Sequence, residues 1–401
     1  MTSPVDTSVK FFHSGMASAP TINGVAGSLV AALDACLVNG WGSKTLTSLI
    51  VAGGIATATF TGGAGPWEQD AVVEIAGVTG GLTALNGEQR VLSATNTTLT
   101  FATAASDGTA AGTITVKLAP AGWEKRFAAT NKGVYRSLDG ASTLCNMRVD
   151  DSATLTANII GYETMSDFDT GTGRFPTIAQ SSTGNYVRKS SAASATANSW
   201  VIVADARTVY ICVATHFNSA ATYYNHNVAC FGDLVSDKSP DPFACLYSFF
   251  GTSLTSRNGH MGDTEDNFSD TSFSYVARDF SGLGSAVSVS KLTNNIRTNA
   301  RSGHSDYGSP YPNPVNNGLF MSPLGLYQGT TTNYFRRGIA PGIYHVPQYT
   351  RASFTNLNRV PGVGAFSGKR FLVVTSGSVE VPMPNLTAGG IVLFDVSSAW
   401  R

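Results

Sequence analysis

Apolar and polar positions along this chain alternate in short runs, and only one stretch departs from that habit. In AGSLVAALDACLV (26–38), Leu29, Val30, Leu33, Cys36 and Leu37 fall at i, i+1, i+4, i+7 and i+8, one face of a 3.6-residue repeat. Asn39 and Gly40 supply the stop, so the pattern predicts one short amphipathic helix behind an extended arm, which reads either as a docking element or as a lid on the following domain. From 46 to 119 the runs SLIVAG, ATATF, DAVVEIAGV, QRVLSAT, TLTFAT and GTITVKLA are rich in Val, Ile and Thr and are separated by Gly, Asn and Asp. Strands of that length and spacing predict a small antiparallel sandwich or barrel. Asn86-Gly87 reads as a tight turn inside it, because Asn-Gly accepts positive φ.

The segment AGWEKRFAATNKGVYRS (121–137) reads as a link, with Trp123 and Phe127 as anchors. Beyond it, WVIVAD (200–205) and TVYICVATHF (208–217) predict a hairpin through Ala206-Arg207, with Trp200, Ile202 and Ala204 on one face. KRFLVVTSGS (369–378) and GGIVLFDVSSAW (389–400) predict two further strands. Three stretches, 166–199, 252–272 and 301–317, are rich in Ser, Thr, Gly and Asn and read as long loops, which ordinarily bind something or are ordered by a neighbour. FRRGIAPGIYHVPQ (335–348) reads as a rigid connection or an inter-subunit contact. The fold class expected is mainly β. It divides into an N-terminal arm and helix acting as a docking element (1–45), a small β-sandwich or barrel module (46–120) and a larger β-rich domain with long loops (121–401).

Charge changes this picture by what it removes. Only 13% of residues are charged, about half the usual share, and 26 Lys plus Arg balance 26 Asp plus Glu. A neutral surface has no electrostatic footprint for nucleic acid, and polarity carried by hydroxyls suits lasting contact with copies of itself or with neighbours. The longest apolar run, LIVAGGIATATF (49–60), falls short of a membrane span, so no membrane insertion is expected. The opening MTSPVDTSVKFFHSG lacks the pattern of a secretory signal, which places assembly in the cytoplasm of the producing cell.

Candidate chemistry is sparse. No nucleophile elbow, phosphate loop, HExxH or dinucleotide fingerprint occurs, so no catalytic residues and no cofactor are expected. Carboxylates gather at Asp150 and Asp151, at Glu163, Asp167 and Asp169, and at Asp263, Glu265, Asp266 and Asp270. Paired carboxylates serve glycan cleavage, but Asp in polar loops ordinarily caps its own turn. DTEDNFSD (263–270) offers oxygen ligands without the residue order of an EF-hand. The five cysteines are scattered; Cys212 and Cys230 lie near His216 and His226, but strand alternation gives Cys212 a core position beside Tyr210 and Ala214, and no metal is expected. Tyr223, Tyr224, Tyr307 and Tyr311, with Tyr334, Tyr344 and Tyr349, sit in loop-like surroundings. They read either as a recognition surface, chiefly the first four, or as rings that fasten loops to sheets.

Three stretches carry a family resemblance. SVKFFHSGMASAPTINGVAGSLVAALDACLVNGWGSKT (8–45), the module ending ALNGEQRVLSATNTTLTF (84–101) followed by AGWEKRFAATNKGVYRS, and the ending GKRFLVVTSGS to VLFDVSSAWR resemble structural proteins of the tail and baseplate region of tailed bacteriophages. VDDSATLTANIIGYETMSDFDTGTGRFPT (149–177) extends the resemblance. It implies a virion structural protein without catalytic residues, placed at the tail tip, baseplate or fibre attachment, with other virion proteins and copies of itself as partners. The alternatives are a receptor-binding tail protein recognising a host surface glycan and a head decoration protein. A depolymerase tailspike would show short regular repeats, and none occurs.

Overall fold

The computed structural model describes residues 3–215, 217–218, 223–224, 226–250, 261, 274–292, 309–330, 333–346, 348–350, 353–376 and 390–401. The protein is mainly β, built from a small closed barrel, a thirteen-stranded sheet and a six-stranded sheet, with one short helical segment. Strands Lys44–Ala52, Ile55–Phe60, Val72–Ala76, Gly87–Ala94, Thr98–Ala102 and Thr115–Leu118 form the barrel, which closes where Lys44–Ala52 pairs with Ile55–Phe60. Period-two alternation decides what fills it: Leu49, Val51, Ala56, Ala58, Phe60, Leu99, Phe101 and Val116 are buried while intervening Thr residues face outward. Gly53 and Gly54, both at positive φ, make the two-residue turn between the first two strands.

Asn86-Gly87 is not a tight hairpin turn. The chain crosses from Val72–Ala76 to Gly87–Ala94 through a 3-10 turn at Gly80–Leu85, and Asn86 itself is extended. Its side-chain amide receives the Val78 N–H at 2.9 Å and donates to the Val78 carbonyl at 2.8 Å, so it mimics a strand neighbour.

The predicted helix runs as α-helix over Ser28–Leu33 and widens into π-helix over Asp34–Asn39, and all five residues of its apolar face are buried. Gly40 ends it where a Cβ would stand 2.0 Å from the Leu118 carbonyl oxygen, so only glycine admits the barrel that close. The arm before the helix is tied into a sheet. Lys10–His13 is an edge strand, antiparallel to Ser199–Ala204.

That pairing starts a thirteen-stranded antiparallel sheet. After Ser199–Ala204 it continues through Thr208–Ala214, Asn227–Asp233, Cys245–Ser248, Ser274–Val276, Val287–Leu292, Ser322–Thr330, Asn333–His345, Gly390–Asp395 and Arg370–Ser376 to Arg359–Pro361, and Val235–Ser236 joins it against Asn333–His345. The segment read as a rigid connection, 335–348, therefore lies mostly inside the long central strand Asn333–His345. The sheet folds back on itself. Tyr210 stands 5.0 Å from Phe394 and 5.6 Å from Trp400, ring to ring, and donates its hydroxyl to the Pro341 carbonyl at 2.7 Å.

The opposite face of the same strands is covered by a six-stranded sheet made of Trp123–Ala129, Lys132–Ser137, Asn146–Asp150, Thr156–Met165, Gly171–Phe175 and Asn185–Arg188. Phe231 stacks on Phe175 at 5.9 Å, and Tyr247 donates to the Ile159 carbonyl at 2.6 Å while accepting the Asn185 N–H at 3.0 Å. Two expectations change here. The segment 121–137 is a hairpin of this sheet rather than a link, and 166–199 contributes two of its strands rather than a surface loop. Because the hairpin Ser199–Ala204 and Thr208–Ala214 is covered on both sides, Trp200, Ile202 and Ala204 and their alternate neighbours are all buried.

Barrel, arm and C-terminal segment meet at Arg90. This guanidinium, 4% exposed, donates to the carbonyls of Asp6 (2.6 Å), Asp70 (2.8 Å), Val9 (3.2 Å) and Val396. We expect Arg90→Met, which keeps most of the stem and abandons those acceptors, to lower stability by at least about 3 kcal/mol, since each orphaned buried acceptor costs about 1–3 kcal/mol. A urea midpoint unchanged from the parent would refute the assignment.

Candidate functional site

Among the described residues, the carboxylates that sequence offered for chemistry are engaged in holding the fold. Asp151 is fully buried; its Oδ2 accepts the backbone N–H of Leu29 at 2.7 Å and of Val30 at 3.2 Å, and its Oδ1 contacts Lys189 Nζ. Burial raises the Asp151 carboxyl above its ordinary value against the opposing pull of Lys189 and those N–H groups. Its neighbour Asp150 faces the other way, to Lys132 Nζ at 2.8 Å. Glu163 clasps Arg278 through two contacts of 2.6 and 2.8 Å. Asp167 closes its own turn by accepting the N–H of Asp169 and of Thr170, each at 2.8 Å. No two of these groups stand free across an open cleft. Asp263, Glu265, Asp266 and Asp270 lie outside the described residues.

The described members of the cysteine and histidine group are packed inside the large sheet. Cys212 and Cys230 are buried on the face that carries Tyr210, and burial pushes both thiols well up. His226 is buried, its Nδ1 2.8 Å from the Thr375 carbonyl oxygen and its Nε2 3.2 Å from Ser199 Oγ. His216 falls outside the described residues. Among the described residues, no three His, Cys, Asp or Glu side chains converge as metal ligands, and no helix is long and apolar enough to cross a membrane.

Of the four tyrosines named for recognition, Tyr311 is half-buried with its ring 5.3 Å from Phe354, an arrangement that fastens its loop. Tyr223 and Tyr224 form a two-residue strand against Phe217 and Asn218, which establishes their backbone position alone. Tyr307 lies outside the described residues. Tyr344 belongs to a trio of edge-on rings with Phe366 and Phe371, 5.4 to 5.6 Å apart.

Among the described residues lie concavities that sequence reasoning missed, two of which stand out. The larger, about 560 Å³, lies between 318–322 and 360–366 beside the edge strand Arg359–Pro361, with Phe366, Phe371 and Leu393 against it and Phe320 and Val363 at its open side. It is apolar, suited to shielding a nonpolar group and carrying no reactive pair. Its sequence signal was the apolar content of GLFM and VPGVGAF within Gly- and Pro-rich surroundings. The second, about 540 Å³, lies on the barrel between 64–69 and 92–96, and Glu68 lines it.

Glu68 ties the barrel to both edges of the large sheet. Its Oε1 lies 2.8 Å from His13 Nε2 and contacts Arg359, whose guanidinium also sits 4.7 Å over the Phe11 ring. Burial alone would raise the Glu68 carboxyl, but His13 and Arg359 outweigh it and hold it below the usual range. A carboxyl lowered by folding contributes stability that is present above its unfolded value and is lost as pH falls through the folded one. We expect Glu68→Gln to flatten the acid limb of a stability profile measured by urea unfolding between neutral pH and the carboxyl range. An unchanged acid limb would remove Glu68 from the joint.

No family model matches the chain, and no curated protein matches it. Among solved structures it is similar to the phage phi92 endosialidase, with 10% identity and a TM-score of 0.15, over 90% of this chain and 52% of that one. The chain thus spans about half the length of that protein, and a TM-score of this size fixes neither a common fold nor a common activity.

Proposed function

We propose that the protein is a non-catalytic structural component of a tailed-phage virion, positioned at the tail tip, baseplate or fibre attachment and assembled with copies of itself and neighbouring virion proteins. The observation that carries this reading is where the charges go. In a chain with so few of them, Asp151, Glu163 and the buried Arg90 and Arg337 are engaged in joints between segments: Arg337 reaches Asp241 at 2.8 Å and Gln328 at 2.9 Å, and Arg90 gathers four carbonyls. A reactive site needs ionisable groups poised toward a ligand. Joints between segments instead make a rigid body, which is what a repeated building block requires. The resemblance of 8–45, 84–101 and the C-terminal segment to tail and baseplate proteins supports the same reading.

The test has two parts: the mass and symmetry of the purified protein by light scattering, and imaging of intact particles labelled with an antibody to the exposed segment around Val315. A closed oligomer with label at the tail is the expected result. Label confined to the head would move the protein to the decoration class. Release of new reducing ends from host surface polysaccharide by the purified protein would overturn the non-catalytic reading.

A further inference from the structure

The Asp151–Lys189 pair differs from the other lysine–carboxylate pairs among the described residues. In Lys125–Asp34 and Lys132–Asp150 both side chains remain a fifth or more exposed, so water stabilises the ions. Lys10–Glu88 keeps its glutamate 38% exposed. Asp151 and Lys189 are both fully buried. Desolvating such a pair costs several kcal/mol per ion, and transfer of one proton from ammonium to carboxylate removes both charges. The burial-raised carboxyl of Asp151 leans the same way.

The surrounding atoms are sorted by role. Asp151 Oδ2 is held by the two N–H groups of Leu29 and Val30, while Oδ1 is the oxygen that faces Lys189 Nζ. Nζ also donates to the Val25 carbonyl at 2.7 Å, which orients it. We propose that Lys189 and Asp151 condense to an intramolecular isopeptide bond, so that the chain is covalently cross-linked between residues 151 and 189.

The step balances within the pair. Ammonium and carboxylate become amine and carboxylic acid by one proton transfer to Oδ1. The Nζ lone pair then attacks Cγ, and the developing negative charge falls on Oδ2, where two backbone N–H groups already point. A second proton passes from Nζ to Oδ1, the Cγ–Oδ1 bond breaks and one water leaves. The product is an amide with one N–H. Its oxygen, Oδ2, keeps both backbone donors and its N–H keeps the Val25 acceptor, so no polar atom of the new group is orphaned. Fixed placement supplies the high effective concentration that condensation needs, and exclusion of water opposes the reverse hydrolysis.

The experiment is denaturing intact-mass measurement of the purified wild-type protein beside Lys189→Arg, followed by tryptic mapping. The wild type is expected to be lighter than its sequence mass by one water, and Lys189→Arg to show its full sequence mass. Peptide 149–174 is expected to be recovered joined to 189–207, because acylated Lys189 resists cleavage. A wild-type mass equal to the sequence mass, with the two peptides recovered separately, overturns the proposal. So does a lost water that maps elsewhere, for instance to a succinimide at Asp107-Gly108 or Asp139-Gly140. The wild-type measurement does not depend on the folding of any variant or on the virion assignment.

Discussion

Four backbone carbonyls from three distant parts of the chain converge on one guanidinium, and the relation of barrel to sheet follows from that convergence. Arg90 belongs to a barrel strand, Asp6 and Val9 to the arm, and Val396 to the segment after the last strand. A planar group with five donors can satisfy that many acceptors in a dry place, and lysine, with three, cannot. Burial lowers the Arg90 value, yet a guanidinium stays charged throughout the physiological range, so the joint does not loosen near neutrality. Glu68, Arg359 and His13 repeat the device on the neighbouring edge.

The large sheet depends on these joints because it is covered on both faces. Phe231 and Tyr247 face the six-stranded sheet, whereas Tyr210 faces the returning half of the large sheet. A strand in that middle layer has no solvent side, and its polar atoms must be met from within. Thr208 donates to the Asp233 carbonyl at 2.7 Å, and Asp205 accepts the N–H of Arg207 and Thr208 at the hairpin turn. Arg401 reaches the same place, donating to Thr208 Oγ1 at 2.7 Å and contacting Asp205. Segments far apart in sequence are thus tied at a few buried polar points. A covalent bond between Asp151 and Lys189 would carry the same principle to its limit where the arm's helix, the six-stranded sheet and the segment before Trp200 meet.

The edges of that sheet bear on its surroundings. Arg359–Pro361 is short and carries a proline, which limits its use as a template for further strands, and Lys10–His13 at the other end is met by Arg359 through Phe11. The apolar concavity beside Arg359–Pro361 and the exposed Val363 put a nonpolar feature at that edge.

Local pattern was enough to place the helix face of Leu29, Val30, Leu33, Cys36 and Leu37 and the six barrel strands, where one interior imposes the period, and also the hairpin around Ala206 and the strands near the C-terminal end, whose continuous apolar runs reflect burial on both faces. It failed where long-range pairing supplies what local pattern lacks. Gly171–Phe175 is polar and glycine-containing and Asn185–Arg188 is only four residues long, and they become strands because Thr156–Met165 offers both of them a partner edge. Asn86-Gly87 carries the residues of a tight turn, but its amide is captured by Val78. Of the candidate chemistry, sequence determined which ionisable groups exist and how few they are. Tertiary structure alone decided that Asp150 and Asp151, adjacent in sequence, point to different lysines in different surroundings: successive side chains of an extended chain diverge, and only the packing around each sets whether its charge meets water or is enclosed.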